Sequence, residues 1–200
     1  AGAMENTGLI TFREGLLLFD DGPAPADQAA AFANVMAHEL AHQWFGNLVT
    51  LAWWDDLWLN EAFATWLATR TLEQWAPALR AELDLAGDVL GAMEADSQVA
   101  ARAIRQPIES LDDVHNAFDP ITYSKGAGVI AMFERWIGTS RFRDAIRAYV
   151  AAHADGNATT DQFLAALSVQ AKEAGRPGDT AAAFRTFLDQ PGVPFVEVQA

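Results

Sequence analysis

Val35-Met36-Ala37-His38-Glu39-Leu40-Ala41-His42-Gln43-Trp44-Phe45-Gly46-Asn47 is the stretch on which the reading of this chain turns. It contains H-E-x-x-H, as His38, Glu39 and His42. Residues four apart on a helix share one face, separated by about 40° in azimuth. Both imidazoles can therefore point a nitrogen at one ion. Glu39 sits beside that face, where it reaches a water at the metal without being a ligand. Two neutral imidazoles and an adjacent carboxylate are what zinc-assisted amide hydrolysis needs.

The wider composition narrows the classes. The 200 residues are 51% hydrophobic, enough for one substantial core or two small ones. A formal net charge of −14 repels nucleic acid and anionic lipid. There are no cysteines, so disulfides and thiolate metal sites are excluded and any zinc sits on His and carboxylate. No apolar run approaches the length of a membrane span. The chain opens on Ala-Gly-Ala-Met-Glu-Asn, without a signal peptide or initiator Met, and reads as an excised piece of something longer.

Outward from the motif, punctuation sets the elements. Leu9 to Phe12 and Leu16 to Phe19 are short runs of strand formers, and Glu14-Gly15 between them predicts a hairpin turn. Asp20-Asp21-Gly22-Pro23 breaks the pattern. Pro25 and Asp27 suit a helix start. That helix runs over 25–45, with Gly46 as a left-handed stop and the metal motif in its last two turns. Residues 48–53 form an extended connector. Asp55 or Asp56 caps a helix over 57–75, and Pro77 opens another to about residue 102. Further helices are expected over 120–138, 140–153, 160–174 and 179–189, with 193–198 extended again. The expected class is α+β, mainly helical, with strands at the two ends.

A closed H-E-x-x-H site needs a third ligand, and the following helix offers Glu61, with 18 residues between it and His42. Ala64, Thr65 and Ala68 share its face, and their small side chains let the two helices lie close. The plainer role for Glu61 is a favourable charge near a helix N-terminus. Trp44, Trp53, Trp54, Trp58 and Trp66 crowd the same region and read as core that shapes the site. Asp56 suits an N-cap better than a partner for a zinc-bound His. His115 and His153 stand alone and do not read as ligands.

The run H-E-L-A-H-Q-W-F-G-N-L-V-T…W-W-D-D-L-W-L-N-E-A-F-A-T-W resembles the zinc aminopeptidases of the aminopeptidase N (membrane alanyl aminopeptidase) type. These are gluzincins with a thermolysin-like catalytic domain. The likeness is specific from Gly2 to about Gly128 and weaker to the closing Q-P-G-V-P-F-V-E-V. Ala62 departs from it, since the family usually has Gly after the zinc Glu. The resemblance implies a thermolysin-like catalytic domain over 1–200, incomplete at its N-terminus. Within it, 1–19 are cleft-edge strands, 25–138 the zinc-site helices and 139–200 a helical closing segment. It implies one zinc per chain on His38, His42 and Glu61, with Glu39 as general base. Gly2-Ala3-Met4-Glu5-Asn6 resembles the G-A-M-E-N exopeptidase signature, an edge strand whose Glu binds the substrate's α-amino group; Met4 is a candidate to line the first side-chain pocket. Tyr123, in I-T-Y-S-K-G-A-G, resembles the Tyr that donates to the oxyanion, while Lys125 reads as structural. The partners implied are peptides with a free N-terminus and the remaining domains of a longer enzyme. The function implied is release of single N-terminal residues. The alternatives are a zinc endopeptidase, an epoxide hydrolase/aminopeptidase of the leukotriene-processing branch, and a catalytically inactive peptide-binding domain.

Overall fold

A computed structural model describes residues 2–18, 25–195 and 197–198. Strand β1 (Ala3–Met4) pairs antiparallel with β2 (Thr11–Phe12), and a single helical turn, α1 (Glu14–Leu17), follows. Helix α2 (Ala26–Ala41) carries the first metal motif. Strand β3 (Val49–Leu51) and a 3-10 turn (Trp54–Asp56) lead into α3 (Trp58–Trp75). After a 3-10 turn at Pro77–Leu79 come α4 (Ala81–Asp96) and α5 (Leu111–Ala117). A π-helical turn (Ile121–Lys125) then runs directly into α6 (Gly126–Ile137). Helix α7 (Thr139–His153), strand β4 (Gly156–Ala158), α8 (Thr160–Glu173) and α9 (Thr180–Leu188) complete the described elements. The mainly helical α+β class is as expected.

Helix α3 is the axis of the molecule. Ten of its residues are buried, including Trp58, Leu59, Ala62, Phe63 and Trp66, so it is covered on nearly all sides. Its aromatic face meets Phe163 of α8 and Phe184 of α9. Phe63 and Phe163 cross edge to face at 5.0 Å, and Trp58 lies 5.7 Å from Phe184. The polar handles are satisfied: Trp58 Nε1 donates to Thr160 Oγ1 at 3.0 Å, and Trp66 Nε1 to the buried Glu134 at 2.9 Å. Such anchoring fixes the opposite face of α3, which carries Glu61, against α2.

Several local expectations are corrected. The hairpin turns at Thr7-Gly8, where the Leu9 amide donates to the Asn6 carbonyl at 2.9 Å, and Ala3 pairs with Phe12. Glu14-Gly15 instead opens α1, and Leu17 and Leu18 face solvent. The G-A-M segment supplies the pairing edge, so the second leucine run has no strand to join. The break at Asp20-Asp21-Gly22-Pro23 and Phe19 lie outside the described residues. Helix α2 ends at Ala41 with His42 as its cap, four residues before Gly46 (φ +134°). The helix beginning after Pro77 stops at Asp96, and α5 was not expected at all; a reciprocal Ser110–Asp113 capping box starts it. The second strand pair is internal: β3 runs parallel to β4, across a long crossover. Among the described residues of 193–198 there is no strand.

Asp56 does not cap α3. Its carboxylate accepts from Arg105 Nε at 2.7 Å, and from the Thr160 hydroxyl and amide at 2.7 and 3.1 Å. It therefore caps the start of α8 across a long sequence gap and ties that helix to the entry of α3. Of the five tryptophans read as core, Trp58 and Trp66 are buried, but Trp44, Trp53 and Trp54 are exposed. Among the described residues, no helix is long and apolar enough to cross a membrane.

Candidate metal centre and cleft

Helix α2 presents His38 on its last full turn and His42 at its cap, and α3 presents Glu61 one turn from its start. The three side chains converge. His38 Nε2 and His42 Nε2 are 3.0 Å apart, and Glu61 Oε2 lies 3.3 Å from the first and 3.4 Å from the second. A tetrahedral zinc with ligand bonds of about 2.0–2.2 Å separates its donor atoms by roughly 3.3–3.5 Å. The triangle is therefore the right size for that ion, and two imidazoles with one carboxylate are a zinc donor set.

The rest of each imidazole is already committed. His42 Nδ1 donates to the Phe45 carbonyl at 2.9 Å, just past the helix end. Thr65 gives its hydroxyl proton to the Glu61 carbonyl at 2.8 Å, which leaves its oxygen to face His38 Nδ1 at 3.4 Å. Each ring thus uses Nδ1 for orientation and aims Nε2 into the triangle. Burial raises the pKa of Glu61, but hydrogen bonds from His38 and His42 outweigh it and hold the carboxyl down at about 2. Burial disfavours charge on His42, yet Glu61 more than offsets this and raises its pKa above the ordinary histidine value. The three donor atoms lie close enough together to share one cation.

Glu39 is 5% exposed, and its Oε2 has no hydrogen-bond partner among the described residues. Burial raises its pKa, opposed by the two histidines. Tyr123 reaches the site from the π-helical turn, a distortion often found at functional positions. Its ring stacks on His38 with centroids 5.9 Å apart. Burial pushes its phenol above the usual value and the Glu61 carboxylate adds to the shift, so the O–H stays a donor. The π turn is itself clamped: Asp119 Oδ1 accepts from the amides of Ile121 and Thr122 at 2.9 and 3.1 Å, and Arg102 grips the Asp119 carboxylate.

A cavity of about 740 Å³ opens over these groups, within the range of small-molecule sites. Gly2, Ala3, Met4 and Glu5 form one wall, but Asn6 does not line it; its carbonyl closes the hairpin turn. Glu5 Oε1 lies 3.9 Å from His42 Nδ1. Trp53 and Trp54 line another part of the cavity, with Phe118 edge to face on Trp54 at 6.3 Å. Lys125 is buried in an ion pair with Asp96 at 2.7 Å, away from the cavity lining. His115 and His153 take no part in the donor cluster. Ala62 packs its methyl directly against Gly126, and the close approach of α3 and α6 there leaves no space for a side chain at 126. Asn47 is a neighbour that the sequence did not single out, and Thr65, read only as a small residue on the Glu61 face, also faces His38 Nδ1. The only signal for Thr65 was its place four residues after Glu61.

The family model described as the Peptidase family M1 domain matches residues 1–184. Among similar proteins, Aminopeptidase M1-C of Oryza sativa subsp. japonica is 39% identical over 199 residues, covering 100% of this chain and 22% of its own length. Glutamyl aminopeptidase of Bitis rhinoceros is 40% identical over 201 residues, covering 98% of this chain and 20% of its own length. Probable aminopeptidase 1 of Saccharolobus solfataricus is 41% identical over 201 residues, covering 100% and 25%. The chain thus spans between a fifth and a quarter of the length of these relatives.

Proposed function

The chain belongs to peptidase family M1, and from that premise we propose that it hydrolyses the first peptide bond of peptides with a free amino terminus, releasing single residues. We take residues 1–200 as part of a thermolysin-like catalytic domain, with 1–19 at the cleft edge, 25–138 carrying the metal site and 139–200 the helical closing segment. One zinc per chain is held by His38, His42 and Glu61. The observation that carries the reading is the triangle of three donor atoms 3.0–3.4 Å apart, with an unpartnered carboxylate oxygen of Glu39 beside it.

Zinc, when bound, supplies Lewis acidity that polarises the scissile carbonyl and acidifies water. Glu39 accepts a proton from the attacking water and returns it to the leaving amine. Burial raises its carboxyl pKa, which favours its taking up a proton. Tyr123 donates its O–H to the oxyanion, and its high pKa keeps that proton in place. Glu5 receives the substrate's α-ammonium. The Glu5 carboxylate lies 3.9 Å from His42 Nδ1, beside the donor cluster, which supports removal of one residue at a time.

The test is hydrolysis of fluorogenic alanyl and leucyl amides against their N-acetylated counterparts. Free-amine substrates should be cleaved and blocked ones left intact. Equal cleavage of both would make this an endopeptidase and remove Glu5 from the site. The epoxide-hydrolase and inactive-domain alternatives draw no support from the relatives, whose names are those of aminopeptidases.

A further inference from the structure

The hydrogen bonds around Glu5 reach further than its carboxylate. Beyond β1 the chain leaves the strand ladder, and the Glu5 carbonyl is taken up by side-chain amides from the turn after α2. Asn47 Nδ2 donates to it at 2.8 Å and Gln43 Nε2 at 3.4 Å. Asn47 is itself tied to the metal-binding helix, because its backbone amide donates to the His42 carbonyl at 3.0 Å. Gly46 lets the turn fold this tightly: a Cβ there would lie 3.4 Å from His42 Nδ1 and 3.3 Å from the Asn60 side chain.

We propose that Asn47 is a positioning residue for substrate recognition, a two-ended tie that fixes the Glu5 carboxylate at a set distance from His42. The inference rests on the aminopeptidase reading, in which Glu5 is the amine anchor. Asn47 touches neither substrate nor metal in this account. It holds the backbone of Glu5, and the spacing between amine anchor and metal ligand is then a property of one turn, 42–47, and not of the exposed hairpin. Gln43 is the weaker partner, since its Nε2 is shared with the Glu39 carbonyl at 3.4 Å.

The experiment is steady-state kinetics on leucyl amide with Asn47→Ala, Glu5→Ala and the double variant, together with zinc content and inhibitor binding. Loss of one neutral hydrogen bond should raise KM about 3–10-fold with kcat within twofold. Zinc should stay at one per chain. Affinity for leucine hydroxamate, which carries the amine, should fall by a similar factor, while acetohydroxamate, which lacks it, should bind unchanged. In the Glu5→Ala background, Asn47→Ala should add nothing. Asn47→Asp fills the same space but places an acceptor against the Glu5 carbonyl, and should raise KM at least as much. It decides the matter if the alanine variant does not fold. A zinc loss or an equal weakening of both hydroxamates would make Asn47 merely structural and overturn the proposal. An effect of Glu5→Ala without one from either Asn47 variant would overturn it alone. No effect from Glu5→Ala would overturn both this inference and the amine-anchor reading.

Discussion

Replacing Gly126 by Ala tests whether the packing of α3 on α6 sets the site. The added Cβ would stand 2.6 Å from the Cβ of Ala62. Carbon atoms prefer about 3.5–4.0 Å, so the two methyls lack roughly 1 Å of room. Neither can rotate away, because each is fixed to its helix backbone. The helices must separate, and Ala62 adjoins Glu61 while Gly126 follows the turn that carries Tyr123. Overpacking of this kind costs about 1–3 kcal/mol. The better helix propensity of Ala returns at most about 1 kcal/mol. A net loss of about 0–2 kcal/mol lowers Tm by up to roughly 8 °C in a domain of this size. A displacement approaching 1 Å at a catalytic group can reduce turnover by as much as about 10²-fold. Gly126→Ala should therefore lose at least about tenfold in kcat/KM, measured beside Tm from a thermal melt. Ala62→Gly in the same chain removes the opposing methyl and should recover most of both. A Gly126→Ala protein as stable and active as the parent, or a double variant no better than the single one, would refute the packing argument.

Tyr123→Phe should lower kcat about 10²–10³-fold, the usual cost of an oxyanion donor, with KM little changed; a variant within threefold of the parent would return Tyr123 to a structural role. Because Glu61 raises the pKa of His42 above the ordinary histidine value, the metal-free site should still be partly protonated near neutral pH. Zinc binding should then release protons, seen by titration calorimetry in buffers of different ionisation enthalpy, and the release should fade as pH rises through that pKa. Binding enthalpy that is independent of the buffer would contradict it.

The site was legible where its geometry is local. His38 and His42 are four apart on one helix, and Glu61 stands on the next helix among the small residues Ala64, Thr65 and Ala68, so spacing alone brought the donor set together. The helix end marked by Gly138 also read well, whereas Pro77 opens a separate 3-10 turn and α4 begins only at Ala81, after a left-handed Arg80. Long-range partners did not read well. Asp56 looked like a cap for the helix beside it, but its bonds go to Thr160, 104 residues away, and no local pattern announces that. The parallel pairing of β3 with β4 is hidden for the same reason, since Gly156-Asn157-Ala158 has no strand propensity and pairs because α7 delivers it there. The hairpin lies elsewhere than expected because two apolar runs offered a tempting pair, whereas the partner of Thr11–Phe12 is the Ala3–Met4 segment before the turn. Trp53 and Trp54 were assigned to the core on residue type, although their position between β3 and α3 leaves them on the cleft.

The central claim is that His38, His42 and Glu61 hold the metal while Glu39 moves the proton. Metal content and leucyl-amide turnover, measured together on Glu39→Gln and Glu61→Gln, test it most directly. Glu39→Gln should retain one zinc per chain and lose turnover, and Glu61→Gln should lose both. A zinc-replete, fully active Glu39→Gln protein would contradict the account.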